Sequence, residues 1–253
     1  VSLTSAHEQI FSSAYTFVGA AFPQTAVPFP ALREAALAVG RACYARNIIG
    51  HVGVDFVSFL DHEGLLRVWA VDLNLRLTHS ALTFGFFHFL VNGQFDAATG
   101  LYHAPPGIGA AGRGGELQQR CYVMNELLFH PQLFSVHHSA FFNLCRLKGV
   151  SFDLQERTGT VFNLMDSFVG GVLGVLTAGR SMLDALRKFA DCLDFIQKQV
   201  GPATTKSTTQ SHEVSFKDVI KAIKQLVDTQ VGSSRPLALP RAAEPPAEAE
   251  ASP

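Results

Sequence analysis

The sequence predicts an α+β fold, in which an antiparallel sheet with helices is followed by a small α/β layer and a C-terminal helix. Three observations lead to this class. Apolar and polar residues alternate, as in half-buried strands, near the N-terminus and on both sides of the segment DHEG. Apolar residues recur at helical spacing between these strands. In the second half, shorter strands alternate with helices, which is typical of a small α/β layer.

Composition limits the classes of protein to which this chain can belong. Its 253 residues are 47% hydrophobic, which is enough for a sizeable core in one or two domains. The formal net charge is −1 and the first lysine is Lys148, so the sequence shows no clustered basic patch for nucleic acid. No signal peptide and no membrane-spanning apolar run are evident, so we expect an intracellular, cytoplasmic protein without a membrane segment. Because the chain begins with Val1 inside strand-like sequence, we also expect a fragment of a longer protein.

Cysteine and histidine usage argues against a zinc site. The four cysteines lie among apolar neighbours and form no CxxC motif, and the ten histidines form no HExxH motif. This pattern predicts buried free thiols in a reducing compartment.

The N-terminal part of the chain predicts strands and helices in a clear order. Residues 1–22 predict two short strands that end at Pro23. PALREAALAVGRACYARN predicts a helix, because apolar residues recur at intervals of three and four after a proline at the helix start. HVGVDFVSFL and LLRVWAVDLNLRL predict a hairpin around DHEG, and HSALTFGFFHFLVNG predicts a buried helix that ends at Gly93.

Residues 93–116 predict a loop. Within them GIGAAG, from Gly107 to Gly112, has the letters of a dinucleotide-binding fingerprint. Two prolines precede it instead of a strand, and no acidic residue follows at the required spacing of about 20 residues. The motif therefore predicts a flexible glycine loop and not a cofactor site.

The second half of the chain predicts its own set of elements. RCYVMNELL, GTVFNLMDS and GVLGVLTAG predict strands, while SVHHSAFFNLCRLKG and SMLDALRKFADCLDFIQKQV predict helices. SFKDVIKAIKQLVDTQV predicts an amphipathic helix that either packs on the fold, which we favour, or docks a partner such as calmodulin. These patterns divide the chain into an N-terminal subdomain (1–116), a small α/β extension (117–202), a linker with the amphipathic helix (203–231) and a disordered tail (232–253).

The predicted hairpin carries a file of polar side chains at one end. With the hairpin centred in DHEG, between its third and fourth residues, Asp55 faces Asp72 and Gly53 faces Asn74. Arg76 follows two positions later on the same face, because alternate residues of a strand share a face.

The rest of the predicted hairpin is apolar. In the same register Val57 faces Ala70. The face opposite the acids is predicted to be a core face, and its members are Val52, Val54, Phe56, Leu60, Trp69, Val71, Leu73 and Leu75.

The facing carboxylates suggest a metal site. Directly opposed side chains have Cβ atoms about 5 Å apart, so two carboxylates there repel until a proton, an arginine or a metal ion relieves the repulsion. Carboxylate and amide oxygens suit Mg²⁺, which makes Asp55, Asp72 and Asn74 candidate ligands, with room for a ligand beside Gly53. The alternative is a solvated strand end at which Arg76 neutralises the two acids. The residues alone leave both interpretations open.

The hairpin segments GHVGVDFVSF and VWAVDLNLRLTHS resemble the end of an ATP-grasp domain. That fold closes with a strand bearing an aspartate, a hairpin, and a strand reading Glu-x-Asn-x-Arg. The resemblance implies ATP and Mg²⁺ as cofactors, with Asp55, Asp72 and Asn74 holding the metal. It implies a catalytic and phosphate-binding or substrate-binding role for Arg76. Asp72 stands where the family usually has a glutamate.

A second, weaker part of this resemblance lies upstream. SAHEQIF is similar to an ATP-binding strand of the peptide-ligase relatives, with Glu8 in place of an aspartate. The similarity makes His7, Glu8 and Gln9 weaker candidates for binding the nucleotide.

Six segments, taken in order, resemble the C-terminal region of the IQ-motif-containing protein H family. They are FPQTAVPF, GHVGVDFVSFLD, VWAVDLNLR, FFNLCRLKGVSFDLQERTGTVFNLMDS, LGVLTAG and SFKDVIKAIKQLV, spread over residues 1–231. The resemblance implies an ATP- and Mg²⁺-binding domain of carboxylate–amine ligase type, in a longer protein of cilia, flagella or sperm. That protein would bind calmodulin through IQ motifs outside this chain. The alternative is a catalytically inactive ATP-grasp scaffold that acts as a structural or calmodulin-linked interaction module.

Overall fold

The computed structural model describes residues 1–13, 16–106, 116–130, 132–133, 136–163, 171–200 and 216–232. The fold is α+β, as the sequence predicts. The described residues form two compact units, one with residues 1–3 and 25–78 and the other with residues 4–24 and 79–232.

The first unit contains a helix and a two-stranded hairpin, both as predicted. Helix α1 (Phe29–Tyr44) has Pro30 in its first turn, where the missing backbone N–H leaves no helical hydrogen bond unmade. It buries Leu32 and Cys43 and packs against strand β4. Strand β3 (Gly53–Leu60) pairs antiparallel with β4 (Leu66–Asn74).

The loop of this hairpin differs from the predicted one. Leu60 faces Leu66, so the hairpin is centred on Glu63 instead of between that residue and Gly64. Gly64 has a φ of 76°, which glycine adopts without steric penalty and which a three-residue hairpin loop requires. The Asp61 carboxylate accepts hydrogen bonds from the backbone N–H groups of Glu63 and Leu65 and so fixes the loop.

A β-bulge then changes the register along the hairpin. Close to the loop Val57 faces Trp69, so the predicted pairing with Ala70 is wrong. The register shifts between Asp55 and Phe56 of β3, and Val71 is the extra residue on β4. Beyond the bulge the pairing is the predicted one.

The predicted core face of the hairpin is only partly covered, since Val52, Val54 and Phe56 are half-buried and its other members are exposed. Trp69 is 60% exposed, Val71 57%, Leu73 43% and Leu75 52%. The bulge moves Trp69 to the face of the two acids, where its ring meets Phe59 edge-on at 4.8 Å. A two-stranded hairpin also has too few neighbouring strands to enclose an apolar face by itself.

The second unit is built on a six-stranded antiparallel sheet. The strands are β1 (Glu8–Ser13), β2 (Thr16–Phe22), β8 (Cys121–Phe129), β9 (Phe152–Asp153), β10 (Thr158–Asn163) and β11 (Val172–Gly179). Their order in the sheet is β1-β2-β8-β11-β10-β9. Because β2 pairs with β8, the sheet joins residues from both sides of the predicted boundary at residue 116.

Helices cover both faces of this sheet. The helices are α2 (His79–Val91), α3 (His138–Leu147), α4 (Met182–Val200) and α5 (Phe216–Gly232), and the sequence predicts all four. One core joins α3, α4 and α5 to sheet residues such as Val123 and Val175. The other joins α2 to Phe22, Tyr122 and Met124. Successive residues of β8 alternate between the two cores, as expected for a sheet buried on both faces.

Some predictions for the middle and end of the chain need correction or cannot be compared. Residues 93–116 are not only loop, since they contain β5 (Gln94–Phe95) and β6 (Tyr102–Ala104), which form a small sheet with β7 (Gln118–Gln119). GIGAAG, the linker at 203–215 and the tail after residue 232 lie outside the described residues. All four cysteines are buried and free, as predicted.

Candidate functional site

The two facing carboxylates of the hairpin are present as predicted. The register pairs Asp55 with Asp72 and Gly53 with Asn74. Burial raises the pKa of the Asp55 carboxyl, and the negative charge of Asp72 raises it further. The ionised pair therefore repels, and a cation at this position would relieve that repulsion.

A chain of hydrogen bonds runs along the end of β4. The Asp72 carboxylate accepts from its neighbour Leu73 N–H and from Asn74 Nδ2, both at 2.9 Å. The amide oxygen of Asn74 accepts from Arg76 Nη2 at 3.2 Å. Arg76 lies two residues beyond the end of the strand, so its position depends on this bond and on its backbone N–H, which donates to the carbonyl of Asn74.

The guanidinium of Arg76 contacts the amide and not the acids. Within the part of the chain that the structure describes, no ion pair joins Arg76 to Asp55 or Asp72. The alternative in which Arg76 neutralises the two carboxylates is therefore not the arrangement of this structure.

The side chains at the hairpin end suit a Mg²⁺ ion that is also coordinated by phosphate better than one held by the protein alone. They offer two carboxylates and one amide oxygen, which are hard ligands of the kind that Mg²⁺ prefers. Among the described residues, no group of three His, Cys, Asp or Glu side chains could hold a metal ion. Mg²⁺ often uses one or two carboxylates and completes its shell with water and substrate phosphates. The Asn74 oxygen accepts one hydrogen bond from Arg76, which leaves its second lone pair for a metal.

The space beside Gly53 is not open, contrary to the prediction. A Cβ atom at this position would lie 2.7 Å from the Thr78 methyl group and 3.5 Å from Asn74 Cβ. A larger residue here would require the Thr78 side chain to move, because the chain after β4 folds back and fills the gap. The sequence gives no direct signal for this contact, because Thr78 lies outside both strands.

The weaker candidates His7, Glu8 and Gln9 belong to the second unit, whereas the four hairpin residues belong to the first. His7 Nε2 is hydrogen-bonded to the Tyr122 hydroxyl, and its ring packs against Phe22. Glu8 opens β1, and the exposed Gln9 pairs with the backbone of β2. Burial lowers the pKa of His7 to about 4, so the ring is neutral at pH 7. A neutral, packed ring is suited to supporting the fold and does not attract phosphate.

His7 is expected to make the stability of the second unit depend on pH. Its pKa is about 4 in the folded chain, against 6.5 for a histidine that is fully solvated, so only the unfolded chain binds its proton between these values. Stability is full above pH 6.5 and falls as the pH drops toward 4, by up to about 3 kcal/mol. The measurement is urea denaturation at pH 7 and pH 4.5.

Two variants separate His7 from other acid-sensitive groups. His7→Gln keeps a hydrogen-bonding side chain but cannot titrate, so its loss of stability between the two pH values should be smaller than that of the wild type. His137→Gln is the control, because His137 is exposed and makes no side-chain cap hydrogen bond at the start of α3. An equal pH response in all three proteins would contradict the prediction.

Comparison with known proteins identifies first a class of domain and then a similar protein. Residues 1–98 match the family model described as IQCH-like, ATP-grasp, so this part of the chain is an ATP-grasp-like domain. The chain is also 31% identical, over 211 residues, to IQ motif-containing protein H of Danio rerio. Together these matches show an IQCH-like ATP-grasp domain in this chain and a similarity to IQ motif-containing protein H, as its sequence motifs predict.

The extent of these matches limits what they say about the whole protein. The alignment covers 83% of this chain but 19% of the zebrafish relative. No solved structure matches the chain. Among the described residues, no helix combines the length and the apolar character needed to cross a bilayer.

Proposed function

We propose that the β3–β4 hairpin is the metal- and phosphate-binding end of an ATP-grasp-like nucleotide site. The observation that carries this proposal is the facing pair Asp55 and Asp72, whose ionised forms repel. A fold that keeps two carboxylates opposed gives up stability in the metal-free state, and a bound cation would restore it. The match of residues 1–98 to IQCH-like ATP-grasp domains supports the assignment.

In this proposal each polar residue of the hairpin has a separate role. Asp55, Asp72 and the amide oxygen of Asn74 hold Mg²⁺. Arg76, which in this structure donates to Asn74, turns to a phosphate oxygen when nucleotide is bound, because guanidinium pairs well with phosphate. His7, Glu8 and Gln9 lie in the second unit and have no part in this proposal.

The proposed reaction class is ATP-dependent carboxylate–amine ligation. ATP would transfer its terminal phosphoryl group to a carboxylate and leave as ADP, and an amine would then attack the acyl phosphate and displace phosphate. The residues of this chain would bind and orient the phosphates and spread their negative charge.

A place in a cilium or flagellum, and a link to calmodulin through IQ motifs outside this chain, belong to the same proposal. They rest on the relationship to IQ motif-containing protein H.

The second candidate function is an inactive ATP-grasp scaffold with a structural or interaction role. The observation that favours it is the aspartate at position 72, where the related ligases usually carry the longer glutamate.

Asp72→Asn separates these functions. If the pair holds Mg²⁺, the substitution removes a ligand charge, so Mg²⁺-ATP binding measured by calorimetry on the full-length protein should weaken about tenfold or more. The same change removes the charge that raises the pKa of Asp55. The metal-free protein should therefore be as stable as the wild type or more stable by up to about 1 kcal/mol, since exposed charges are well screened.

Glu63→Gln is the matched control for this experiment. Glu63 lies in the loop of the same hairpin and is exposed. Its substitution removes one negative charge, as Asp72→Asn does. The control should leave both nucleotide affinity and stability unchanged. Unaltered Mg²⁺-ATP affinity in Asp72→Asn, or no binding by the wild type, would reject the metal-site proposal and leave the scaffold.

A further inference from the structure

A fully buried arginine in the second unit has hydrogen-bond partners for only one of its three guanidinium nitrogens. Arg120 lies between β7 and β8 and is 0% exposed. Its Nη1 donates to the Gln118 side-chain oxygen at 3.1 Å and to the Gln119 carbonyl at 3.0 Å. Its Nε and Nη2 have no hydrogen-bond partner in the part of the chain that the structure describes. A buried cation with unmade hydrogen bonds is strongly unfavourable, so this edge calls for a partner.

The two unpaired nitrogens form one edge of the guanidinium. The N–H of Nε and one N–H of Nη2 point the same way, whereas Nη1 lies on the opposite side. This edge matches two oxygens of a carboxylate or phosphate group and binds them with two parallel hydrogen bonds. The backbone N–H of Arg120 donates to the Tyr102 carbonyl at 2.9 Å, which fixes the residue in place.

Charges of both signs surround Arg120. Burial lowers the pKa of its guanidinium and the positive charges of Arg180 and Arg157 lower it further, while Glu156 and Asp184 act in the opposite direction. Arg157 Nη1 donates to the Val91 carbonyl at 3.1 Å, so its charge is held by a neutral group. A positive charge that no carboxylate neutralises lowers the energy of an anion that comes near it.

The carboxylates of this region already have partners. Glu156 is paired with Arg180. Asp184 is paired with Lys188 at 2.9 Å and accepts the backbone N–H of Arg180. Neither carboxylate is bonded to Arg120, so its charge is not neutralised by a direct ion pair.

We propose that the Nε–Nη2 edge of Arg120 binds an oxyanion, either a carboxylate or a phosphate group of a small ligand. The anion would receive two parallel hydrogen bonds from Arg120 and long-range attraction from Arg157, whereas the charge of Arg180 is already compensated by Glu156. Because Arg120 is fully buried, the anion reaches it through local opening of the surrounding chain. This site belongs to the second unit alone and does not depend on the function proposed for the hairpin.

The proposal is tested with inorganic phosphate and with acetate, each added to the full 253-residue chain at constant ionic strength set with sodium chloride. Phosphate or acetate should raise the melting temperature of the wild type in a saturable way, by about 3 °C at roughly ten times Kd. The ¹⁵N-detected NMR signal of Arg120 Nε should shift along the same titration. The anion with the larger effect identifies the class of ligand.

Arg120→Lys keeps the positive charge but lacks the two-pronged edge, so the anion effect should disappear in this variant. Arg187→Lys is the control, because Arg187 is an exposed arginine on α4, and it should respond like the wild type. If Arg120→Lys does not fold, the Nε signal of the wild type decides the question. An unmoved Nε signal with both anions would overturn the proposal, as would an equal loss of response in the Arg187 control.

Discussion

Replacing Phe87 with alanine is expected to destabilise the second unit by about 3–5 kcal/mol. Phe87 belongs to α2, is 0% exposed and lies in the core between this helix and the sheet. The centroid of its ring lies 4.6 Å from that of Tyr122, 4.8 Å from that of Tyr102 and 6.0 Å from that of Phe22. The truncation leaves a cavity among rigid rings that cannot close around it, so most of the lost contact energy is not recovered.

The matched control for this change lies two residues along the same helix. Phe89 is 79% exposed, so Phe89→Ala removes little buried area and exchanges phenylalanine for a better helix former. Its stability should stay within about 0.5 kcal/mol of the wild type. Both values come from urea denaturation followed by tyrosine fluorescence and circular dichroism. Similar losses for the two variants would show that Phe87 is not at the centre of a packed core.

The positions of the helices and of the longer strands could be predicted from the sequence because they depend on local periodicity. The pattern that places α1 and α4 is carried by their own side chains and needs no knowledge of their neighbours. The predicted pairing of Asp55 with Asp72 is correct for a different reason. Two offsetting shifts, the loop centred on Glu63 and the bulge at Val71, left that end of the hairpin in the predicted register.

Burial could not be predicted as well, since it depends on which other parts of the chain cover a face. Trp69 and Leu73 are apolar and alternate like core residues, yet both are exposed. Arg120 is the opposite case, since it is fully buried although arginine is almost never fully buried unless it is paired. The nearest signal in the sequence is its position at the start of the predicted strand RCYVMNELL, directly before CYVMN. All five residues of CYVMN are buried in the structure.

The candidate site shows a similar division. The identities of Asp72, Asn74 and Arg76 suggested a polar cluster, and the structure joins them by hydrogen bonds. The filling of the space beside Gly53 by Thr78 could not be predicted, because it depends on how the chain turns after β4.

The last prediction concerns α5, which the sequence allowed either to pack on the fold or to dock a partner. In the structure its apolar face is buried, with Val219 1% exposed and Ile223 0% exposed. It packs against α4, β1 and β2, and Lys224 forms an ion pair with Asp194 of α4 at 2.9 Å. These contacts make α5 part of the core of the second unit.

Ile223→Asp should therefore destabilise the second unit by at least about 4 kcal/mol, because it removes a packed side chain and places a carboxylate in an apolar core. Gln225→Asp is the control, since it adds the same charge at an exposed position of the same helix and should change stability by less than about 0.5 kcal/mol. Thermal melting of the three proteins measures the difference. A helix that waits free for a partner such as calmodulin would tolerate both aspartates equally, so equal melting temperatures would contradict the packed arrangement and favour a docking role for α5.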